Sequence, residues 1–322
     1  MIEPSSGPDG VINAPRSQPQ GMPPWTVACL TLLITLVGFV IVGPFIGLTI
    51  AFPFYDGKPM DFVADLSNPI GKESMKMIYL AVQGCTTFFG LAVIPALAWR
   101  AMTHRPIFGL FKSTQLKPVH FLIVAGIVFF YLGFISKLTE WNANIDLPDG
   151  GFEDFAKTME QQLSEVTKYL TNYTGFGQYL AGVFVIAVLA GFGEELVFRG
   201  LLQPELHRAT GNIHFAIWTS AFFFSAMHMQ FYGFIPRIFL GALFGYLYYW
   251  SGSLTLSMFA HFFNNFIAVT SIYFGLNELP GIDTTEKPES TPWYVVVLMT
   301  VVCVALIYLF QKQFKKTDDI RA

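Results

Sequence analysis

Residues 179–193, YLAGVFVIAVLAGFG, form an apolar run that leads directly into two glutamates and an arginine in EELVFRG, residues 194–200. With its flanking residues, the run is long enough for a helix that crosses the roughly 30 Å hydrocarbon core of a bilayer. A charged side chain inside such a helix costs at least about 2.5 kcal/mol on the most lenient insertion scale, so it is rarely without a role. The stretch therefore predicts a membrane-spanning helix that contains a functional site.

The rest of the chain has the composition of a membrane protein. Of its 322 residues, 53% are hydrophobic and only 13% are charged, whereas about a quarter of the residues in a soluble globular protein are charged. The formal net charge of −3 gives no indication of nucleic acid as a partner, and the expected surroundings are membrane lipids. Cys29, Cys85 and Cys303 have neither metal-binding nor redox spacing, so no disulfide scaffold is expected.

Recurring apolar stretches predict an all-α, polytopic membrane protein with about eight transmembrane helices. The predicted ranges are 25–52, 76–99, 118–137, 177–205, 212–230, 234–250, 254–274 and 292–311. The fifth and sixth helices are short and are joined by a tight turn, MQFYGFIP, so one of them is expected to be tilted or broken.

The chain divides into four predicted regions. Residues 1–23 are rich in Pro, Gly and Ser and predict a disordered tail. Residues 24–175 form an N-terminal transmembrane region, in which 152–170 have the apolar spacing of an amphipathic helix on the outer interface, either a packed loop helix or a gate. Residues 176–275 form the core that carries the site, and residues 276–322 supply the last helix and a basic cytoplasmic tail.

Lysines and arginines near the ends of the spans indicate the orientation. With a cytoplasmic N-terminus, ten basic residues lie inside and eight outside, and the inner ones cluster in one short loop and the C-terminal tail. The inner residues are Arg16, Arg100, Arg105, Lys112, Lys117, Arg208, Lys312, Lys315, Lys316 and Arg321. This distribution favours an integral protein of the cell (inner) membrane with both termini in the cytoplasm.

The charges of the fourth helix have a clear geometry. Glu195 and Arg199 are four residues apart with the acid first, which is the better order for an ion pair on a helix. Glu194 points about 100° away from its neighbour and must therefore face another partner.

Two later helices offer such partners. FFFSAMHMQ contains His228, and MFAHFFNN contains His261 and Asn265, which are four residues apart and can face one cavity. Counted at 1.5 Å per residue from the presumed inner ends, Glu194 lies about 18 Å deep and His261 about 12 Å, but His228 lies about 24 Å deep. A tilted or broken fifth helix would be needed to bring His228 to the same level.

Other polar residues are expected to be structural. Intramembrane histidines and asparagines often form ordinary hydrogen bonds between helices, and this interpretation also fits His228 taken alone. Asn264, next to Asn265 inside a predicted span, is expected to be structural, and so are three histidines near span ends, His104, His120 and His214. The residues expected to be solvated or interfacial at the inner boundary are Glu205, His207 and Arg208.

The combination predicts peptide-bond hydrolysis inside the membrane. A carboxylate in a low-dielectric pocket can accept a proton from water at neutral pH, so Glu194 fits a general base, with His228 holding the water. Acyl transfer builds negative charge on the carbonyl oxygen, and His261 and Asn265 fit the donor pair that would stabilise it. Arg199 would neutralise the second glutamate and leave Glu194 free.

The same residues resemble a known family. EELVFR, Phe224 to His228, and His261 to Asn265 match EExxxR, FxxxH and HxxxN in order, the three motifs of the CPBP intramembrane proteases, also called the CAAX-protease-and-bacteriocin-processing or Abi family. The resemblance covers roughly residues 177–275 and implies an active site between helices 4, 5 and 7. The site residues that it implies are Glu194, Glu195, Arg199, His228, His261 and Asn265. In these proteins the first glutamate and histidine activate water, the last pair forms the oxyanion site, and Glu195 and Arg199 would support them.

The resemblance leaves the cofactor open, because the family has been described both as metalloproteases and as metal-independent glutamate proteases. The chain lacks HExxH, the helical zinc motif. Glu194, His228 and His261 could still be three zinc ligands. Asn265 suits an oxyanion site better than a metal site, so no cofactor is expected to be required, with Zn²⁺ as the alternative.

The implied substrate is a membrane-embedded or lipidated polypeptide. A non-catalytic role, as a bacteriocin-immunity or membrane scaffold protein of the same family, is the main alternative. A proton-coupled transporter is disfavoured because no inverted repeat is visible. Rhomboid-type and presenilin-type proteolysis are disfavoured because the chain has no GxSG serine motif and no pair of intramembrane aspartates.

Overall fold

A computed structural model describes residues 21–67, 72–111, 115–145, 150–276 and 291–318, and within these ranges the regular secondary structure is helical, with no strand. The predicted tail 1–23 lies outside the described residues apart from its last three positions. The positions Arg16, Lys112 and Arg321, used above for the orientation, also lie outside them.

The described helices follow the predicted order closely. They are, in chain order, α1 (Pro24–Phe54), α2 (Phe62–Ser67), α3 (Glu73–Thr103), α4 (Pro118–Ala143), α5 (Gly151–Thr171), α6 (Phe176–Thr210), α7 (Ile213–Ala226), α8 (Phe234–Ser251), α9 (Leu254–Phe274) and α10 (Trp293–Asp318). The eight predicted apolar helices correspond to α1, α3, α4 and α6 to α10.

Five helices within the described ranges, α1, α3, α4, α6 and α10, are long and apolar enough to cross a membrane by length and composition. Helix α7 is a shorter apolar helix of 14 residues, and α8 and α9 contain 18 and 21 residues. The prediction of an all-α, polytopic membrane protein is confirmed.

Two buried apolar clusters attach the N-terminal helices to the rest of the molecule. One joins α4 to α8, α9 and α10 through residues such as Val124, Phe244, Leu256 and Cys303. The other joins α1 and α3 to α6 and α7. Because burial of apolar side chains accompanies both contacts, the N-terminal half is part of the structure that supports the core.

Helix α6 changes its winding around the two glutamates. It is π-helical over Val183–Leu189 and again over Leu196–Leu202, with an α-helical segment, Ala190–Glu195, in between. Such widened turns occur frequently at functional sites. All seven residues of the second π-helical segment are buried. The two glutamates therefore lie inside the protein, where the winding of α6 changes from α to π.

Glycines allow the other helices to approach α6. A Cβ atom at Gly191 of α6 would lie 2.8 Å from the amide nitrogen of Phe262 in α9. In α8, a Cβ atom at Gly241 would lie 3.2 Å from the Arg199 guanidinium, and one at Gly245 would lie 2.9 Å from the Gln203 amide oxygen. The two glycines of GALFG, residues 241–245, therefore serve close helix packing.

The amphipathic helix is confirmed as α5. Near its start, Phe152 and Phe155 pack edge-on against Phe231, with ring centroids 5.1 and 6.3 Å apart. Just after its end, the carbonyl of Asn172 accepts a hydrogen bond of 2.6 Å from the buried Lys76 ammonium group. Contacts at both ends favour the packed loop helix, and its place on the outer interface stays a prediction.

The prediction for Glu205 was wrong. The side chain is fully buried and is not solvated. Its carboxylate accepts hydrogen bonds from Arg105 (3.1 Å), Arg208 (2.7 Å) and the Trp99 indole (3.3 Å). A buried carboxylate is tolerated when cations compensate its charge, and the two guanidinium groups do so here. His207 and Arg208 are exposed, as predicted.

Candidate active site

Glu195 joins α6 to α9 at the centre of the molecule. Its Oε1 atom accepts hydrogen bonds from Arg199 Nη1 at 2.6 Å and from His261 Nδ1 at 2.9 Å. Its Oε2 atom accepts one from Ser257 Oγ at 2.5 Å. The side chain is fully buried, so every polar contact that holds it comes from protein, and the predicted ion pair with Arg199 is present.

Arg199 extends this network to α7 and α8. Its Nη2 atom donates to the carbonyl oxygen of Gly241 at 2.6 Å. Its Cζ atom lies 4.8 Å from the centroid of the Phe224 ring and 5.5 Å from that of Phe244. Aromatic faces attract a cation, so the buried guanidinium is compensated by Glu195 on one side and by ring faces and a carbonyl on the others.

Glu194 points into a different space. Its Oε2 atom lies 3.8 Å from Nε2 of His228 and 3.8 Å from Nε2 of His261. These distances are too long for direct hydrogen bonds, and Oε2 is buried with no hydrogen-bond partner among the described residues. A water molecule can lie about 2.8 Å from each of two atoms that are 3.8 Å apart, so one water can bridge Glu194 Oε2 to either imidazole.

The hydrogen bonds of the two rings assign their protons. His228 Nδ1 lies 2.9 Å from the carbonyl oxygen of Phe224, which can only accept, so Nδ1 carries the hydrogen. His261 Nδ1 donates in the same way to the Glu195 carboxylate. A neutral imidazole has one N–H, so each neutral ring presents an Nε2 lone pair toward Glu194.

His228 reaches this level because α7 is short. The predicted helix 212–230 was too long, since α7 ends at Ala226 and His228 lies in the turn that follows. Met229 has a φ of 55°, in the left-handed region that a continuing helix does not use. The depth mismatch of His228 therefore disappears, and Glu194, His228 and His261 lie around one space between α6, the turn after α7, and α9.

Asn265 lies beside α6 but does not contact the three groups in the described contacts. Its Nδ2 atom donates to the carbonyl oxygen of Ile186 at 3.0 Å, and its Oδ1 atom accepts from Asn264 at 3.2 Å. An amide nitrogen carries two hydrogens, so this arrangement leaves one for another acceptor. Asn264 has a structural contact, as predicted.

Sequence reasoning missed Ser257. The residue lies one helical turn before His261, at the same spacing that separates His261 from Asn265. Extending the search for polar side chains by four residues along α9 would have found it. Its hydroxyl completes the set of donors on Glu195.

Comparison with known proteins connects this region to a family. Residues 176–267 match the family model described as "Type II CAAX prenyl endopeptidase Rce1-like". The "Uncharacterized protein YpbD" of Bacillus subtilis (strain 168) is 30% identical over 96 residues, which are 29% of this chain and 46% of that protein. The chain thus spans about half the length of this curated relative. No solved structure gives a significant match.

The matched range contains every residue of the three motifs, and it includes the three groups that surround the space next to Glu194. It lies within the predicted core, residues 176–275. Residues 176–267 of this chain are therefore similar to the CAAX prenyl endopeptidases, which supports the resemblance to the CPBP, or CAAX protease, family.

Proposed function

We propose that the protein is an intramembrane endopeptidase that hydrolyses a peptide bond in a membrane-associated or lipidated polypeptide. One observation carries the proposal: a buried Glu194 oxygen, which has no hydrogen-bond partner among the described residues, lies 3.8 Å from the Nε2 atoms of His228 and His261. The family description, a CAAX prenyl endopeptidase, supports the same reaction class.

In the proposed reaction Glu194 acts as general base. A water molecule donates one hydrogen bond to the Glu194 carboxylate and the other to Nε2 of His228, which leaves an oxygen lone pair for the peptide carbonyl carbon. As the new C–O bond forms, Glu194 takes the proton. The same proton then passes to the leaving nitrogen as the C–N bond breaks, which yields a carboxylic acid and an amine.

His261 and Asn265 are proposed to stabilise the negative charge on the carbonyl oxygen. Nε2 of His261 can donate a hydrogen bond only when the ring is protonated, because Nδ1 already donates to Glu195. Asn265 would contribute the amide hydrogen that is not used by the Ile186 carbonyl. Donors placed where the charge develops each contribute about 3–4 kcal/mol.

Zinc would need a tighter arrangement than the one described. Zn²⁺ bonds of about 2.1 Å in a tetrahedral site place neighbouring ligand atoms about 3.4 Å apart, whereas Glu194 Oε2 lies 3.8 Å from each imidazole nitrogen. The described residues contain no group of three His, Cys, Asp or Glu side chains that could hold a metal ion. The proposed reaction therefore has no step through a metal, and the chelator experiment below tests this choice.

The protein is proposed to lie in the cell membrane with both termini in the cytoplasm. Its substrate is proposed to reach the site from the lipid phase. The test uses purified protein in phospholipid nanodiscs with two peptides, a farnesylated peptide that ends in a CAAX-type sequence and an unmodified transmembrane peptide. Mass spectrometry detects the products. We expect cleavage of at least one peptide; cleavage of neither would contradict the proposal.

The same assay tests the role of metal. We expect cleavage to continue in 1,10-phenanthroline, since Glu194 and His228 would hold the water without an ion. Loss of cleavage in the chelator, with recovery on addition of zinc, would replace this mechanism with a zinc-dependent one.

A further inference from the structure

His228 lies on a turn, so something outside α7 must hold it in place. The turn comprises residues 227–233, between α7 and α8. From the α7 side, Ser225 Oγ donates to the Phe234 carbonyl at 2.7 Å. The His228 ring donates from Nδ1 to the carbonyl of Phe224 and packs edge-on against the Phe224 ring. Farther along the turn, Gln230 donates to Glu160 at 3.3 Å and accepts from Arg237 at 2.8 Å, and the backbone at the end of the turn has a further anchor.

Asn142 at the end of α4 provides that anchor. Its Nδ2 atom donates to the carbonyl oxygen of Phe231 at 3.0 Å, and its Oδ1 atom accepts from the amide of Ile235 at 2.9 Å. The side chain is only 3% exposed. The Ile235 amide belongs to the first turn of α8, where backbone N–H groups have no partner within the helix, so Asn142 caps α8 from another helix.

We propose that Asn142 is a positioning residue for His228, an inference that rests on the proposed function. One amide group bonds the backbone on both sides of Gly233 and thereby fixes the last part of the turn that carries the imidazole. Asn142 lies outside the matched range 176–267, so the N-terminal half of the chain contributes directly to the geometry of the site.

The expected effect is on turnover and not on substrate binding. Without the two hydrogen bonds of Asn142, the turn can move and His228 Nε2 can leave its position 3.8 Å from Glu194 Oε2. A displacement of about 1 Å at a reacting group lowers the rate by about 100-fold. Asn142→Leu, which keeps the size but loses both hydrogen bonds, is therefore expected to lower kcat by about 10- to 100-fold with KM within about twofold.

Asn144→Leu is the matched control on the same stretch of chain. Asn144 is exposed, and its side chain donates a hydrogen bond to the Glu140 carbonyl one turn earlier. The activity-independent readout is hydrogen–deuterium exchange of the peptide that contains Ile235, in nanodiscs. We expect faster exchange in Asn142→Leu than in wild type, and wild-type exchange and kcat in Asn144→Leu.

Asn142→Asp provides a pH signature that a purely structural role would not give. A protonated carboxyl can still donate to Phe231 and accept from Ile235, but an ionised one has no hydrogen to donate. The ratio of the variant's kcat to that of wild type is therefore expected to fall as pH rises. A ratio that stays constant with pH would overturn the proposal.

The outcomes separate the two proposals. If wild type cleaves neither peptide, the proposed function fails. Independently of activity, an unchanged exchange rate at Ile235 in Asn142→Leu would show that Asn142 does not hold the turn. If wild type cleaves but Asn142→Leu retains its kcat, Asn142 does not position His228, even where exchange is faster. A fall in kcat with faster exchange and an unchanged KM supports the proposal.

Discussion

Glu194→Gln is expected to lower kcat for peptide cleavage by about 100- to 10,000-fold. Glutamine has the size and shape of glutamate but cannot take a proton from water. The variant therefore keeps the space between residue 194 and the two imidazoles but lacks the general base. The measurement is the initial rate of product release in nanodiscs at saturating peptide, for wild type and variant prepared in parallel.

The variant is expected to remain folded, because Glu194 Oε2 has no hydrogen-bond partner to lose among the described residues. Its thermal denaturation midpoint should equal that of Glu165→Gln, a control at an exposed residue of α5 whose carboxylate accepts a hydrogen bond from Gln161. Near-normal cleavage by Glu194→Gln would exclude Glu194 as the base. A cellular immunity or scaffold role that survives the same change would favour the non-catalytic alternative.

Arg199→Met is expected to be the most destabilising change near the site. It leaves the Glu195 carboxylate buried without its cation, and removal of one partner of a buried ion pair typically costs about 3–5 kcal/mol. The unfolding free energy should therefore fall by about that amount, as measured by denaturant titration in mixed micelles.

Arg208→Met is the control for this prediction. Arg208 also pairs with a buried glutamate, but its side chain is 43% exposed, and Glu205 keeps Arg105 as a second cation. Partly exposed pairs contribute about 0–1 kcal/mol. The double variant Glu195→Gln/Arg199→Met should recover part of the loss because it removes the Glu195 charge that Arg199→Met leaves without its cation. Equal stability of the Arg199→Met and Arg208→Met variants would contradict the network around Glu195.

Local spacing in the sequence was sufficient to predict part of the site. Residues four apart on a helix lie on one face, and this rule anticipated both the Glu195–Arg199 pair and the shared face of His261 and Asn265. It also separated Glu194 from Glu195, which have different partners in the structure. The same spacing places Ser257 on the face of α9 that carries His261. Its hydrogen bond to Glu195 of α6 depends on how the two helices pack.

The end of α7 could not be predicted from local sequence. FFFSAMHMQ continues the apolar pattern of a helix, so nothing local marks Ala226 as its last residue. The turn is held by Asn142, which is 89 residues away from its partner Phe231 in the chain. The burial of Glu205 depends in the same way on Arg105, 100 residues earlier. Contacts of this kind depend on how the helices pack, which a single sequence does not state.

The most direct measurement is long-range ¹H–¹⁵N NMR of protein labelled with ¹⁵N-histidine, with the six histidines assigned by single substitutions. We expect a hydrogen on Nδ1 in both His228 and His261, and we expect Glu194→Gln to shift the ring resonances of both while those of His104 and His214 stay in place. Two results would contradict a single space shared by Glu194 and both imidazoles. One is a ring with a hydrogen on Nε2 and none on Nδ1, and the other is a Glu194→Gln variant that shifts the resonances of only one of the two rings.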